Sequence, residues 1–154
     1  HPMTRQLSPE MLAALVRQFA DQPRFAFEDN VAPEDSLLAA DLMLSDWSGA
    51  AFDYAYGLER PVLFVDVPRK INNPDYGELG IEPLEATARQ EIGHVLAPDQ
   101  LASAPQVARQ LSADAAAHSE RIRRSRARWV YNVGNSGSRG AEQIVELCRE
   151  LEKA

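Results

Sequence analysis

Apolar residues along this chain fall into short blocks with two different periods. Leu7, Met11, Leu12, Leu15, Val16 and Phe19 recur at helical spacing, and Ser8 and Pro9 stand in the order of a helix start, so one helix is predicted over residues 4–20. Arg24-Phe25-Ala26-Phe27 reads as a short strand, and Pro33 as the opening of a short helix through Leu37, Leu38 and Ala39. Leu42-Met43-Leu44 is an apolar run bounded by Asp41 and Asp46, the mark of a buried strand. Residues 48–58 are helical, with Ala50, Ala51, Tyr54, Ala55 and Leu58 facing inward. Pro61-Val62-Leu63-Phe64-Val65 is the clearest strand, with proline where a strand tolerates it. Residues 67–91 look irregular, because prolines, glycines and asparagines interrupt every period. Gly93-His94-Val95-Leu96 is a fourth strand. Helices follow over about 99–111 and 113–131, and a Gly/Ser/Asn turn precedes a last helix that ends near Glu152.

Strands alternating with helices predict an α/β fold: a Rossmann-like parallel sheet of about four strands with helices on both faces. At 154 residues, the chain suits one domain over residues 4–154. His1-Pro2 ahead of Met3 reads as an expression scar. No apolar run approaches the roughly 20 residues of a membrane span, and no signal-peptide pattern is visible. The net charge of -7 argues against nucleic acid as a partner. Cys148 is the lone cysteine, which points to a reducing compartment, and it is expected at a buried or half-buried position. His94 and His118 have no metal-ligand spacing, so neither a metal nor another cofactor is expected.

Chemistry concentrates where the second strand turns into a helix, at Asp46-Trp47-Ser48-Gly49. Ligands of open α/β sheets bind beyond the carboxyl ends of the strands. The first turn of a following helix offers unpaired N–H groups and a positive dipole end, to which a phosphate can bind. Gly49 permits close approach, and the Ser48 hydroxyl can donate a further hydrogen bond. The alternative is that Ser48 or Asp46 caps the helix.

The same residues resemble a signature. Asp-Leu-x-Leu-x-Asp-Trp-Ser-Gly-x-x-Phe-Asp-Tyr over residues 41–54, followed by Arg60-Pro61-Val62-Leu63-Phe64, is similar to the pattern of the CDP-glycerol glycerophosphotransferases, which build teichoic-acid-like polymers. The resemblance is closest over residues 33–66 and runs more loosely to about 147. It implies the C-terminal, donor-binding half of a two-domain GT-B architecture. The missing N-terminal domain would be the partner, and the ligand a nucleotide-diphosphate donor such as CDP-glycerol. Ser48 and Gly49 match the family's serine pair, which is implicated in holding the donor pyrophosphate. Gly49 departs from the pattern, losing a hydroxyl and keeping the backbone N–H. Gly134-Asn135-Ser136-x-Ser138-Arg139 resembles the family's segment before its final helix, which implies a second phosphate contact through Ser136, Ser138 and Arg139. The resemblance also sets Asp53 against the donor ribose, with Asp46 supporting the turn. A surface aspartate in a first helical turn is the alternative for Asp53.

Arg69, Lys70 and Arg89 are candidate phosphate contacts from the long segment after Asp66. The run Arg121, Arg123, Arg124, Arg126, Arg128 could hold phosphates or touch an anionic membrane surface, although such runs are more often a solvated helix face. No catalytic residue can be named, since the family's catalytic histidines have no counterpart here. Two functions follow as expectations: the donor-binding part of a cytoplasmic transferase, peripheral to the inner face of the cell membrane in its full-length form, or a non-catalytic module, a degenerate GT-B or receiver-like domain.

Overall fold

The structure is a computed structural model that describes residues 2–28, 35–69, 71 and 73–152. Pro33, Lys70 and Asn72 lie outside the described residues. The chain divides into two compact units, residues 1–36 and residues 37–154.

The first unit holds α1 (Pro2–Leu7) and α2 (Pro9–Phe19) in place of the single helix predicted. The break is at Ser8, whose backbone leaves the helical region (φ -145°, ψ 55°). Proline disfavours helical geometry in the residue before it and lacks an N–H, so Pro9 ends one helix and begins the next. The strand predicted at residues 24–27 does not form. Pro23 instead sits inside a turn in which the Phe25 amide donates to the Gln22 carbonyl (3.0 Å), and the Phe25 ring packs on Phe19 with centroids 5.4 Å apart. An alternating pattern makes a strand only where a neighbour pairs with it.

The second unit is α/β. A parallel sheet of β1 (Met43–Ser45), β2 (Val62–Val65) and β3 (Gly93–Leu96) runs in the order β1-β2-β3. Met43 pairs with Val62, and Val62 with Gly93. Three strands replace the four expected. Ahead of the sheet lies α3 (Asp35–Ala39), whose last carbonyls are closed by Arg60: its guanidinium donates to Leu38 O (2.6 Å) and Ala40 O (2.7 Å). α4 (Ala50–Leu58) joins β1 to β2.

The segment expected to be irregular before β3 contains a 3-10 helix at Pro74–Leu79 and α5 (Leu84–Ile92). Its pattern hid α5 because one of the three residues that α5 buries is charged: Ala88, Arg89 and Ile92. After β3 come a 3-10 turn at Pro98–Ser103, α6 (Ala104–Ala113), α7 (Ala115–Trp129) and α8 (Ser136–Leu151).

Side-chain alternation on the strands sorts the helices onto two faces. Val62 and Phe64 point into a core with Tyr54, Ala55, Ala88, Ile92 and Ile122, contributed by α4, α5 and α7. Leu63 and Leu96 point the other way, against Leu111, Val107 and Ala108 of α6. Every residue of α8 is exposed, Cys148 included, contrary to the burial expected for that thiol.

Glu59 ends α4 in the left-handed region (φ 56°), a conformation costly for a side chain other than glycine. Its carboxylate offsets that cost by accepting from Ser119 Oγ (3.0 Å) and pairing with Arg126 (2.9 Å) and Arg123 (3.5 Å). The Ser119 hydrogen bond, with the two guanidiniums, holds the carboxyl below the usual carboxylate range. A depressed pKa stabilises the fold above the unfolded value of about 4.3, and that contribution disappears as pH falls through the lower folded value. Glu59→Gln should therefore be less stable than the parent at pH 7, with the gap closing below about pH 4. Urea denaturation across this range checks it, and a gap independent of pH would refute the assignment.

Candidate functional site

β1 ends at Ser45, and four residues turn the chain into α4. Trp47 anchors this turn: its indole Nε1 donates to the Val67 carbonyl (2.8 Å) just beyond β2, so the ring lies across the carboxyl ends of both strands. From below, Arg89 reaches up from α5, because helical side chains lean toward the N-terminus. Its guanidinium carbon sits 3.4 Å from the centroid of the Trp47 ring and 5.7 Å from that of Phe64. Arg89 is only 6% exposed. Nε donates to Glu85 O (3.2 Å) and Nη2 to Asp66 Oδ1 (2.9 Å), while Nη1 is buried without a partner.

A second guanidinium, that of Arg69, stands 5.6 Å from the Trp47 ring and 5.2 Å from the Tyr76 ring. Its ion pair with the exposed Glu82 is long (3.5 Å), and such surface pairs stabilise by about 1 kcal/mol or less. Both cations are attracted to the quadrupole of one indole, and each keeps a carboxylate partner, Asp66 for Arg89 and Glu82 for Arg69. Arg69 also borders a cavity of about 200 Å³ walled by Ile71, Tyr76, Leu79 and Pro83.

Beside this patch α4 begins. Its N-cap is Gly49, and no side chain caps it. Among the described residues neither Ser48 nor Asp46 makes a side-chain hydrogen bond to the first turn, so neither caps the helix. Of the amides that open this nine-residue helix, that of Ala51 already donates to Ser48 O (3.2 Å) and that of Phe52 to Gly49 O (2.9 Å), so among the described residues only those of Gly49 and Ala50 lack a backbone partner.

The structure brings Ser48, Gly49, Arg69 and Arg89 to this one turn. It leaves Asp53 exposed on α4, one turn on. Lys70 lies outside the described residues. Ser136, Ser138 and Arg139 begin α8, where Arg139 pairs with Glu142 (3.1 Å). Among the described residues no hydrogen bond or ion pair joins these three to the Trp47 turn. Sequence reasoning gave Trp47 only as the counterpart of a tyrosine in the resembled signature, Asp66 only as the strand-end aspartate that a receiver-like domain would need, and Tyr76 no role. A tryptophan two residues past the strand was the available signal for the first; the strand itself is the sheet's edge with Leu44 64% exposed, not the buried strand expected at residues 42–44, because only one neighbour covers it. The other two depend on how the segment after β2 folds.

Much of the arginine run in α7 is structural. Arg126 donates to Tyr56 O (2.5 Å) and pairs with Glu59, while Arg128 pairs with Glu91 (3.2 Å). Buried Ser125 donates to Glu91 (2.6 Å) and shares a hydrogen bond with Tyr56 Oη (3.0 Å). Burial pushes the Tyr54 and Tyr56 phenols above their usual pKa, so both stay neutral donors. Among the described residues no group of His, Cys, Asp and Glu could hold a metal, and no helix is long and apolar enough to cross a membrane.

No protein-family model matches the chain, and neither a search of curated proteins nor one of solved structures finds a significant match.

Proposed function

We propose that this chain is the donor-nucleotide-binding part of a glycerophosphotransferase or glycosyltransferase of GT-B architecture, taking CDP-glycerol or a similar nucleotide-diphosphate donor in cell-surface polymer synthesis. The observation that carries this reading is the Trp47 turn at the carboxyl end of a parallel sheet, where Arg89 and Arg69 stack on the indole two residues before Gly49, the N-cap of α4. In the reaction, an acceptor hydroxyl attacks the phosphorus that bears glycerol. The bond from that phosphorus to the bridging oxygen breaks, and CMP leaves. The hydroxyl proton passes to a base in the partner half, in the cytoplasm or at the inner membrane face.

The role of Ser48, Gly49 and the two arginines is to hold the diphosphate and stabilise the charge that grows on the leaving group. Asp66 is tied to Arg89 and helps orient it. That pairing also disfavours the receiver-like alternative, in which an aspartate at this strand end would have to be free for modification.

Calorimetric titration with CDP-glycerol, CMP and a UDP-sugar tests the proposal. CDP-glycerol should bind most tightly, since it alone presents both the cytidine and the glycerol-bearing diphosphate. Ser48→Trp, at an exposed position, should weaken binding by roughly tenfold or more, equivalent to at least 1.4 kcal/mol. Absence of binding by all three ligands to the parent, or affinity unchanged in Ser48→Trp, would sink the reading.

A further inference from the structure

α7 carries two arginine faces, and one of them is only partly neutralised. Arg123 and Arg126 turn toward Glu59. Arg121, Arg124 and Arg128 follow the three- and four-residue spacing of the other side and, with Thr87, Gln90 and Glu91 of α5, line a groove of about 480 Å³. Three guanidiniums there face one carboxylate. That carboxylate, Glu91, is already occupied by Ser125 Oγ (2.6 Å), Trp129 Nε1 (2.9 Å) and Arg128 Nη1 (3.2 Å).

The remaining two arginines are poorly matched. Arg121 is partly buried and has no carboxylate partner: Nη2 meets Gly93 O (3.2 Å) and His118 Nδ1 (3.1 Å), and its Nε is buried with no acceptor. Arg124, with a side chain 74% exposed, has only Glu120 at 3.9 Å, and Glu120 is bound more closely by Arg123 (3.0 Å). A partly desolvated guanidinium without a counter-charge is destabilising unless an anion joins it. Planar guanidiniums match the paired oxygens of a phosphate, and Thr87 and Gln90 add neutral donors at the same wall.

We propose that the α5–α7 groove binds a phosphate group, with Arg121 and Arg124 as its main contacts, at a site separate from the Trp47 turn. The separation follows from the topology. Arg121 bonds the first residue of β3, at the amino end of the sheet, whereas Trp47 and Arg89 lie at the carboxyl ends. The phosphate can be free or the headgroup of an anionic lipid; the recognition chemistry is the same.

Two probes tell these sources apart. Inorganic pyrophosphate is titrated into the ¹⁵N-labelled chain and followed at the amides of Thr87, Gln90, Arg121 and Arg124. Vesicles of phosphatidylcholine with and without phosphatidic acid are tested by flotation. Saturable shifts at the groove identify a soluble phosphate ligand. Flotation only with phosphatidic acid identifies a lipid headgroup. In either case Arg124→Glu and Gln90→Glu should each weaken binding by roughly tenfold, while Ser48→Trp and the α8 variant Arg149→Glu leave it unchanged. The proposal is overturned if neither probe binds, if Arg124→Glu and Gln90→Glu bind like the parent, or if Arg149→Glu weakens binding as much as they do.

Discussion

Alanine at Gly93 should abolish folding of the second unit. Gly93 is the first residue of β3 and the register partner of Val62. Its φ of -170° is ordinary extended backbone, so conformational freedom is not what the position requires. The requirement is space. A Cβ there would lie 1.8 Å from the Val62 carbonyl oxygen and 2.8 Å from its carbon. Both obstacles are backbone of the central strand, which no rotamer change can move. β3 would have to withdraw from β2, breaking the ladder and the core packing of Val95 and Leu96 on either side of it. Overpacking against fixed backbone belongs with the largest single-residue effects, about 4 kcal/mol or more. Circular dichroism of Gly93→Ala should show no cooperative melt. A midpoint within about 4 °C of the parent, equivalent to roughly 1–2 kcal/mol at this size, would contradict the geometry.

Phe64→Ala should cost about 3–5 kcal/mol, the usual range for a buried aromatic. Phe64 is 0% exposed at the centre of β2, its ring 6.4 Å from that of Phe52. It also neighbours the candidate site, with the Arg89 guanidinium carbon 5.7 Å from its ring centroid and 3.4 Å from that of Trp47. Under the proposed function, the substitution should therefore lower donor affinity as well as stability. Leu63→Ala is the internal comparison: it empties space on the opposite face, toward α6, and should cost stability while leaving the affinity of the folded fraction near that of the parent. Urea denaturation and titration of both variants separate the two effects. A loss below about 1.5 kcal/mol for Phe64→Ala, or equal loss of affinity in both variants, would show that the ring does not support the site.

The elements most legible in the sequence are those whose buried residues are all apolar. β2 was readable from Val62-Leu63-Phe64-Val65, and α4 from its small and aromatic inner face, even though Ala50 is exposed and Phe52 and Tyr56 are buried in its stead. α5 was not, because it buries Arg89 along with Ala88 and Ile92, and a charged residue on an inward stripe looks like loop composition. Residues 24–27 misled in the opposite sense: their alternation suits a strand, but a proline turn folds them onto Phe19.

Local pattern by itself determined that this is an α/β chain with a strand-to-helix turn at Asp46-Trp47-Ser48-Gly49, since periodicity and helix-start chemistry depend on near neighbours only. Tertiary structure decided what that turn faces. Arg89 and Arg69 meet Trp47 only because α5 and the segment before it return over the ends of the strands. Likewise the arginine run of α7 is visible in sequence, but which of its charges are neutralised depended on where Glu59 and Glu91 came to rest. A charge's partner is set by distance in space, and that distance has no signature in the spacing of residues along the chain.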